Sequence, residues 1–210
     1  MFKSLLGLFL TVVTYTALAA NPEVVRLQQD WAEIKYKQPK NQQEPKFSAL
    51  LKTAEEAASK AQNDPEVLIW YGIIEASYAG ARGGLGALGN AKNAKKSFER
   101  AIEIKPSALD GSAFTSLGSL YYQVPGWPIG FGDNKKAQEF LKKGLAANPD
   151  GIDPNFFYGD FLFKNGDFAG AEAALKKALK AAPRPGRELA DEGRRGEIEQ
   201  LLEKIAEKKK

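Results

Sequence analysis

The sequence predicts an all-α solenoid of about three to four helical hairpins plus a C-terminal capping helix, and three observations predict it. First, small residues and prolines recur on one beat: Ala94, Ala101 and Pro106, then Ala137, Gly144 and Pro149, then Ala171, Ala178 and Pro183, each triplet spaced by 7 and 5 residues. Small residues at such spacing let paired helices cross closely, and proline stops the second of them. Second, apolar residues follow a 3.6-residue period rather than the alternation of strands, as in Ile198, Leu201, Leu202 and Ile205. Third, 210 residues with 43% hydrophobic content suffice to bury a core.

Residues 1–20 carry an early lysine, an apolar centre from Leu5 and small residues Ala17 and Ala19, the pattern of a cleaved signal peptide. The apolar stretch is short for a spanning helix, so no stable membrane insertion is expected after signal cleavage. A periplasmic or secreted chain is expected, and with no cysteine it is not a lipoprotein. Without disulfides in an oxidising space, stability rests on packing.

Residues 21–183 form the repeat domain, in units of about 22–63, 65–106, 111–149 and 152–183. In the first, Pro22 to Lys37 places Val24, Leu27 and Trp31 at helical spacing, Phe47 to Ala61 supplies the second helix, and residues 38–46 form a long turn. In the second, Leu68, Tyr71 and Gly72 precede the Ala94 triplet. In the third, Phe114, Leu117, Gly118 and Tyr121 precede Ala137 and Leu141. In the fourth, Asp153 and Pro154 are expected as N-cap and first helical residue, with Gly159 standing 12 residues before Ala171. Residues 184–210 are a linker and the capping helix, apolar on one face and charged on the other.

The pattern of a bulky residue, Leu-Gly, Tyr, alanines and a final proline, standing here as Phe114, Leu117, Gly118, Tyr121, Ala137 and Pro149, resembles the tetratricopeptide repeat (TPR). That resemblance implies a right-handed solenoid. Between Gly72 and Ala94 lie 22 positions and between Gly118 and Ala137 lie 19, against 12 in the fourth unit, so inserted loops of 10 and 7 residues are expected at the turn joining first helix to second. In the family, first helices line a concave groove. Carried over, the resemblance implies Ile69, Ile73, Ala76 and Ser77, then Thr115, Ser119, Tyr122 and Gln123, then Phe156, Asp160, Phe163 and Lys164 as groove residues. The Lys and Asn lattice with which some family members clamp a terminal carboxylate is absent. The inserts supply Arg82, Leu85, Leu88, Trp127, Ile129 and Phe131 as a loop rim, either lining a ligand or only covering the repeat edge. The chain is also similar, through GFGDNKKAQEF, to the helical-repeat subunit of TRAP-type transporters, which implies a ligand-carrying accessory role.

The absence of histidine and cysteine excludes Ser-His-Asp and Cys-His triads and every imidazole or thiolate metal site. No catalytic, cofactor-binding or metal-binding residue is expected. A carboxylate-based envelope enzyme, built on Asp160 or Asp133 near Tyr122, is the alternative. GLGALG spells a dinucleotide fingerprint, but it lacks the flanking strand and reads as a flexible inserted turn. The arginines Arg184, Arg187, Arg194 and Arg195 read as a solvated linker, or as holders of a phosphate or carboxylate. Lys142, Lys143, Lys176 and Lys177 suit helix ends. A net charge of +4 is too mild to imply nucleic acid. The expected occupant of the groove is a protein or peptide partner or a small amphipathic ligand.

Overall fold

The computed structural model describes residues 21–209; the expected signal peptide lies outside the described residues. Among the described residues nine α-helices follow in sequence: α1 (Pro22–Ala32), α2 (Lys40–Lys60), α3 (Pro65–Arg82), α4 (Ala87–Ile104), α5 (Ser112–Gln123), α6 (Asn134–Ala147), α7 (Ile152–Lys164), α8 (Phe168–Ala178) and α9 (Glu188–Lys208). Helices α1 to α8 pair as consecutive antiparallel hairpins, and among the described residues there is no strand. The chain is an all-α solenoid.

Asparagine or aspartate opens four of the helices. Asn21, Asp64, Asp133 and Asp167 each accept backbone N–H groups of the first turn that have no partner within the helix. Inside the hairpins the glycines mark the crossings. A Cβ at Gly72 would come within 2.6 Å of the Phe98 ring, one at Gly118 within 2.8 Å of the Leu141 backbone nitrogen, and one at Gly159 within 2.9 Å of Leu175. Each crossing faces an apolar side chain of the paired helix, so the repeat's beat is a packing constraint.

Three expectations need correction. Residues 38–46 are not a turn: α2 begins at Lys40 and carries Pro45 inside it. The missing N–H and ring clash of Pro45 disrupt one bond of the early helix, and burial of Phe47 and Leu50 outweighs that cost. The Gly-rich insert is not a long flexible loop either. It lengthens both helices to 18 residues and leaves Gly83–Gly86 between them. Asp153 does not cap α7: the cap position is Gly151, and Asp153 lies in the first turn.

The insert after α5 is a true loop, with Gly126 bridged to Gly132 and a cis Trp127–Pro128 peptide. Phe131 turns inward against Tyr121, with ring centroids 5.8 Å apart.

Two apolar clusters result. The larger runs from Val24 and Leu27 through Phe47, Trp70 and Phe98 to Leu141. The smaller joins Ile152, Phe156 and Leu175 to Ile198, Leu201 and Ile205 of α9. The N-terminal part of α9 then reaches back to the first hairpin, where the Tyr36 hydroxyl faces Glu197 at 3.4 Å and Lys35 pairs with Glu197 at 3.3 Å. The capping helix therefore bridges the two ends of the stack as well as closing the last one.

Candidate functional site

That bridge leaves a cavity of about 1000 Å³ between the first helices of the hairpins and the 181–197 segment. Its walls differ in chemistry. One side is aromatic and apolar, with Trp31, Phe47, Trp70, Ile73, Phe156 and Phe157. Trp31 meets Trp70 edge-on at 5.8 Å and Tyr36 at 5.7 Å. Its indole N–H donates to the Ser77 hydroxyl at 2.8 Å, which in turn donates to the Ile73 carbonyl at 2.7 Å. Tyr36 and Lys35 enter the wall from a π-helical turn, Glu33–Lys37, that continues α1. Such turns widen a helix and shift the direction of the side chains beyond it.

Arginines stack directly on that aromatic surface. Arg184 donates to Asp153 at 2.7 Å through its terminal nitrogen and to Asp191 at 2.7 Å through Nε. Arg194 is buried, donating to Asp153 at 2.9 Å and to Glu197 at 2.6 Å, with its guanidinium 4.2 Å over the Phe156 ring. Burial alone would raise the Asp153 carboxyl. The Arg194 and Arg184 cations outweigh it and hold Asp153 down at about 2.

Arg187 is different. Its guanidinium lies 5.0 Å over the Trp70 ring, and among the described residues it has no carboxylate partner. Its Nε is sealed from solvent without an acceptor, and so is the indole nitrogen of Trp70. Burial, then the neighbouring Arg184 charge, lower the Arg187 pKa from its ordinary value.

The floor includes a backbone irregularity. Leu109 and Asp110, at φ 45° and 53°, are left-handed non-glycine residues and both line the cavity. Gly111 follows at φ 72°, where a Cβ would strike the Ala147 side chain.

Of the groove residues expected from the repeat, Ile73, Ala76 and Ser77 of α3 line this cavity, as do Thr115, Ser119 and Gln123 of α5. From α7, Phe156, Asp160 and Lys164 line it as well. Three lie elsewhere. Ile69 is fully buried in the larger core cluster. Phe163 packs on Phe168 at 5.6 Å in the C-terminal cluster. Tyr122 points along the wall, donating to Asp160 at 2.7 Å beneath the Lys164 ammonium, 4.7 Å from its ring. Burial first, and Asp160 second, push its phenol well above the ordinary value, so it remains a donor. Asp133 is held by the N-terminus of α6.

The loop residues do not rim the cavity. Arg82 stacks 6.0 Å over Tyr78, Leu88 is half-buried, and Leu85, Ile129 and Trp127 are exposed, Trp127 at 91%. The two inserts do share one flank, since a Cβ at Gly130 would lie 3.4 Å from Leu88. The arginine segment is not a solvated linker: Arg184 and Arg194 hold the protein's own carboxylates, and Arg195 donates to the carbonyls of Leu179 and Ala181. Trp31, Tyr36 and Arg187 are not among the groove residues that the repeat implies. The arginine spacing is the one sequence signal pointing to this wall, and nothing in the repeat pattern announces that α9 folds back across the groove.

Residues 85–107 and 129–191 match tetratricopeptide-repeat family models. No curated protein matches the sequence. Among solved structures, the chain is similar to the thermophilic TPR protein TTC0263 of Thermus thermophilus, with 20% identity, 85% of this chain and 81% of that one covered, and a TM-score of 0.58. It is also similar to MamA (17% identity, 79% and 90% covered, TM-score 0.45) and to MamA 41-end from Desulfovibrio magneticus RS-1 (17% identity, 86% and 96% covered, TM-score 0.44). With two matched segments on the helical beat of the sequence and a stack of helical hairpins in space, this chain carries tetratricopeptide repeats and has the fold of a tetratricopeptide-repeat protein.

Proposed function

We propose that this is a non-enzymatic binding scaffold of the cell envelope whose concave groove, bridged by α9, holds a small amphipathic ligand. The observation that carries this is the cavity of about 1000 Å³ lined by aromatic residues with arginines stacked on them. A concave cavity of that size, with aromatic surface and convergent polar groups, suits a drug-sized ligand. An extended peptide or partner helix would need an open groove, and the Tyr36–Glu197 contact crosses it. Residence in the envelope rests on the leader-like character of residues 1–20. The alternative of carboxylate catalysis has less support, because Asp160 is engaged by Tyr122 and Lys164 and Asp133 by a helix end.

The test is purification of the mature chain from its native envelope, followed by mass spectrometry under native and denaturing conditions. A small molecule retained in native spectra and released on denaturation is the expected result. Recovery of the chain with a bound protein and no small molecule would overturn the reading.

A further inference from the structure

Three guanidiniums stand along the arginine wall, and the structure pairs two of them internally. Asp153 serves Arg184 and Arg194 together, Asp191 takes the second edge of Arg184, and Glu197 takes the second edge of Arg194. Every carboxylate of that cluster is thus engaged, and Arg187 is left with the Trp70 face. Trp70 is itself 4% exposed and its indole N–H has no acceptor. A buried donor without a partner is unfavourable. Two such donors occur here on neighbouring side chains that both line the cavity.

We propose that the ligand is a free organic acid, whose carboxylate seats on Arg187 with the Trp70 indole as neighbouring donor and whose apolar body lies along the aromatic wall. This rests on the binding reading above and adds the chemical class of the ligand. A planar carboxylate matches the guanidinium fork, and the anion supplies the acceptor that the Arg187 Nε lacks. The adjoining aromatic surface, with Trp31 and Ile73, accepts an alkyl or aryl body. The acid is a small molecule and not a chain end, because α9 crosses the groove along which a peptide would extend.

The experiment uses the mature chain with Trp127→Phe, which removes the exposed indole and leaves Trp31 and Trp70 as reporters. Straight-chain acids from butyrate to dodecanoate, together with phenylacetate and phenylbutyrate, are titrated beside their primary amides. Tryptophan fluorescence and calorimetry report binding. At least one acid is expected to bind about tenfold to a hundredfold more tightly than its amide. Arg187→Gln should erase that preference while amide affinity stays the same, and Arg187→Lys should keep part of it.

Acid and amide binding equally well would overturn the carboxylate assignment while leaving the cavity reading intact. Neither binding would overturn both. A short peptide with a free C-terminus outbinding every free acid would overturn the small-molecule assignment. Because the acid-to-amide ratio is measured first on a chain with Arg187 in place, the test does not depend on the variants folding.

Discussion

Asp153 receives two guanidiniums at once, 2.7 Å from Arg184 and 2.9 Å from Arg194, so one charge ties the linker, α7 and α9 together. Its folded-state pKa of about 2 lies below that of an unfolded aspartate. A depressed carboxylate stabilises the fold fully above its unfolded value. That stabilisation, about 2 kcal/mol, is lost as pH falls from about 4 toward 2. Asp153→Asn should therefore lower thermal stability at neutral pH by about 2 kcal/mol or more, since it leaves buried cations underpaired. The gap from the parent should shrink on acidification through that window. Thermal unfolding followed by circular dichroism at several pH values checks this, and a gap independent of pH would show that Asp153 does not stay charged in the folded protein.

At the scale of elements, hairpin crossings and loops make different demands on the same residue types. Gly118 sits where a Cβ would meet the Leu141 backbone at 2.8 Å, and backbone cannot yield cheaply. Gly118→Ala should cost about 1–3 kcal/mol. Gly80, also helical, has open space around it, so Gly80→Ala should stabilise by about 0.5–1 kcal/mol through helix propensity alone. Chemical denaturation of both variants gives opposite signs if the glycine beat reports packing. The loop after α5 divides the same way. Trp127→Ala should leave stability within about 0.5 kcal/mol, whereas Phe131→Ala, removing the ring packed on Tyr121, should cost about 2 kcal/mol.

The same contrast explains what the sequence could disclose. Crossings are local: small residues must stand at fixed separations, so Gly72, Gly118 and Gly159 are legible. Helix ends just before Pro106 and Pro149 are legible for the same reason. Composition misleads where tertiary packing overrides it. Pro45 and Gly89 look like loop, yet Phe47, Leu50 and Ala91 are buried on helices there. The α3, α5 and α7 residues of the cavity wall carry over from the repeat because they recur with it. The arginine wall does not, because the Arg194–Asp153 and Tyr36–Glu197 contacts span 41 and 161 residues and no periodic pattern encodes them.

For the whole molecule the decisive feature is that α9 belongs to two places at once. Its apolar residues Ile198, Leu201 and Ile205 are anchored in the C-terminal cluster, while its N-terminal turns lie against the first hairpin. The second contact has no slack. A Cβ at Gly193 would collide with the Tyr36 ring, and that ring is backed edge-on by Trp31 at 5.7 Å. Gly193→Ala must therefore push α9 away from Tyr36 or displace the aromatic wall. Since the anchor of α9 is elsewhere, the repeats should remain folded with helical circular dichroism unchanged. Backbone amides of residues 31–37 and 187–197 should exchange with solvent faster, and tryptophan emission should shift to the red as Trp31 gains water. Ligand affinity should fall with them, because the wall that carries Arg187 moves relative to the one that carries Trp31. If exchange and emission in the variant match the parent, α9 does not close the groove, and a partner longer than the cavity could lie along it.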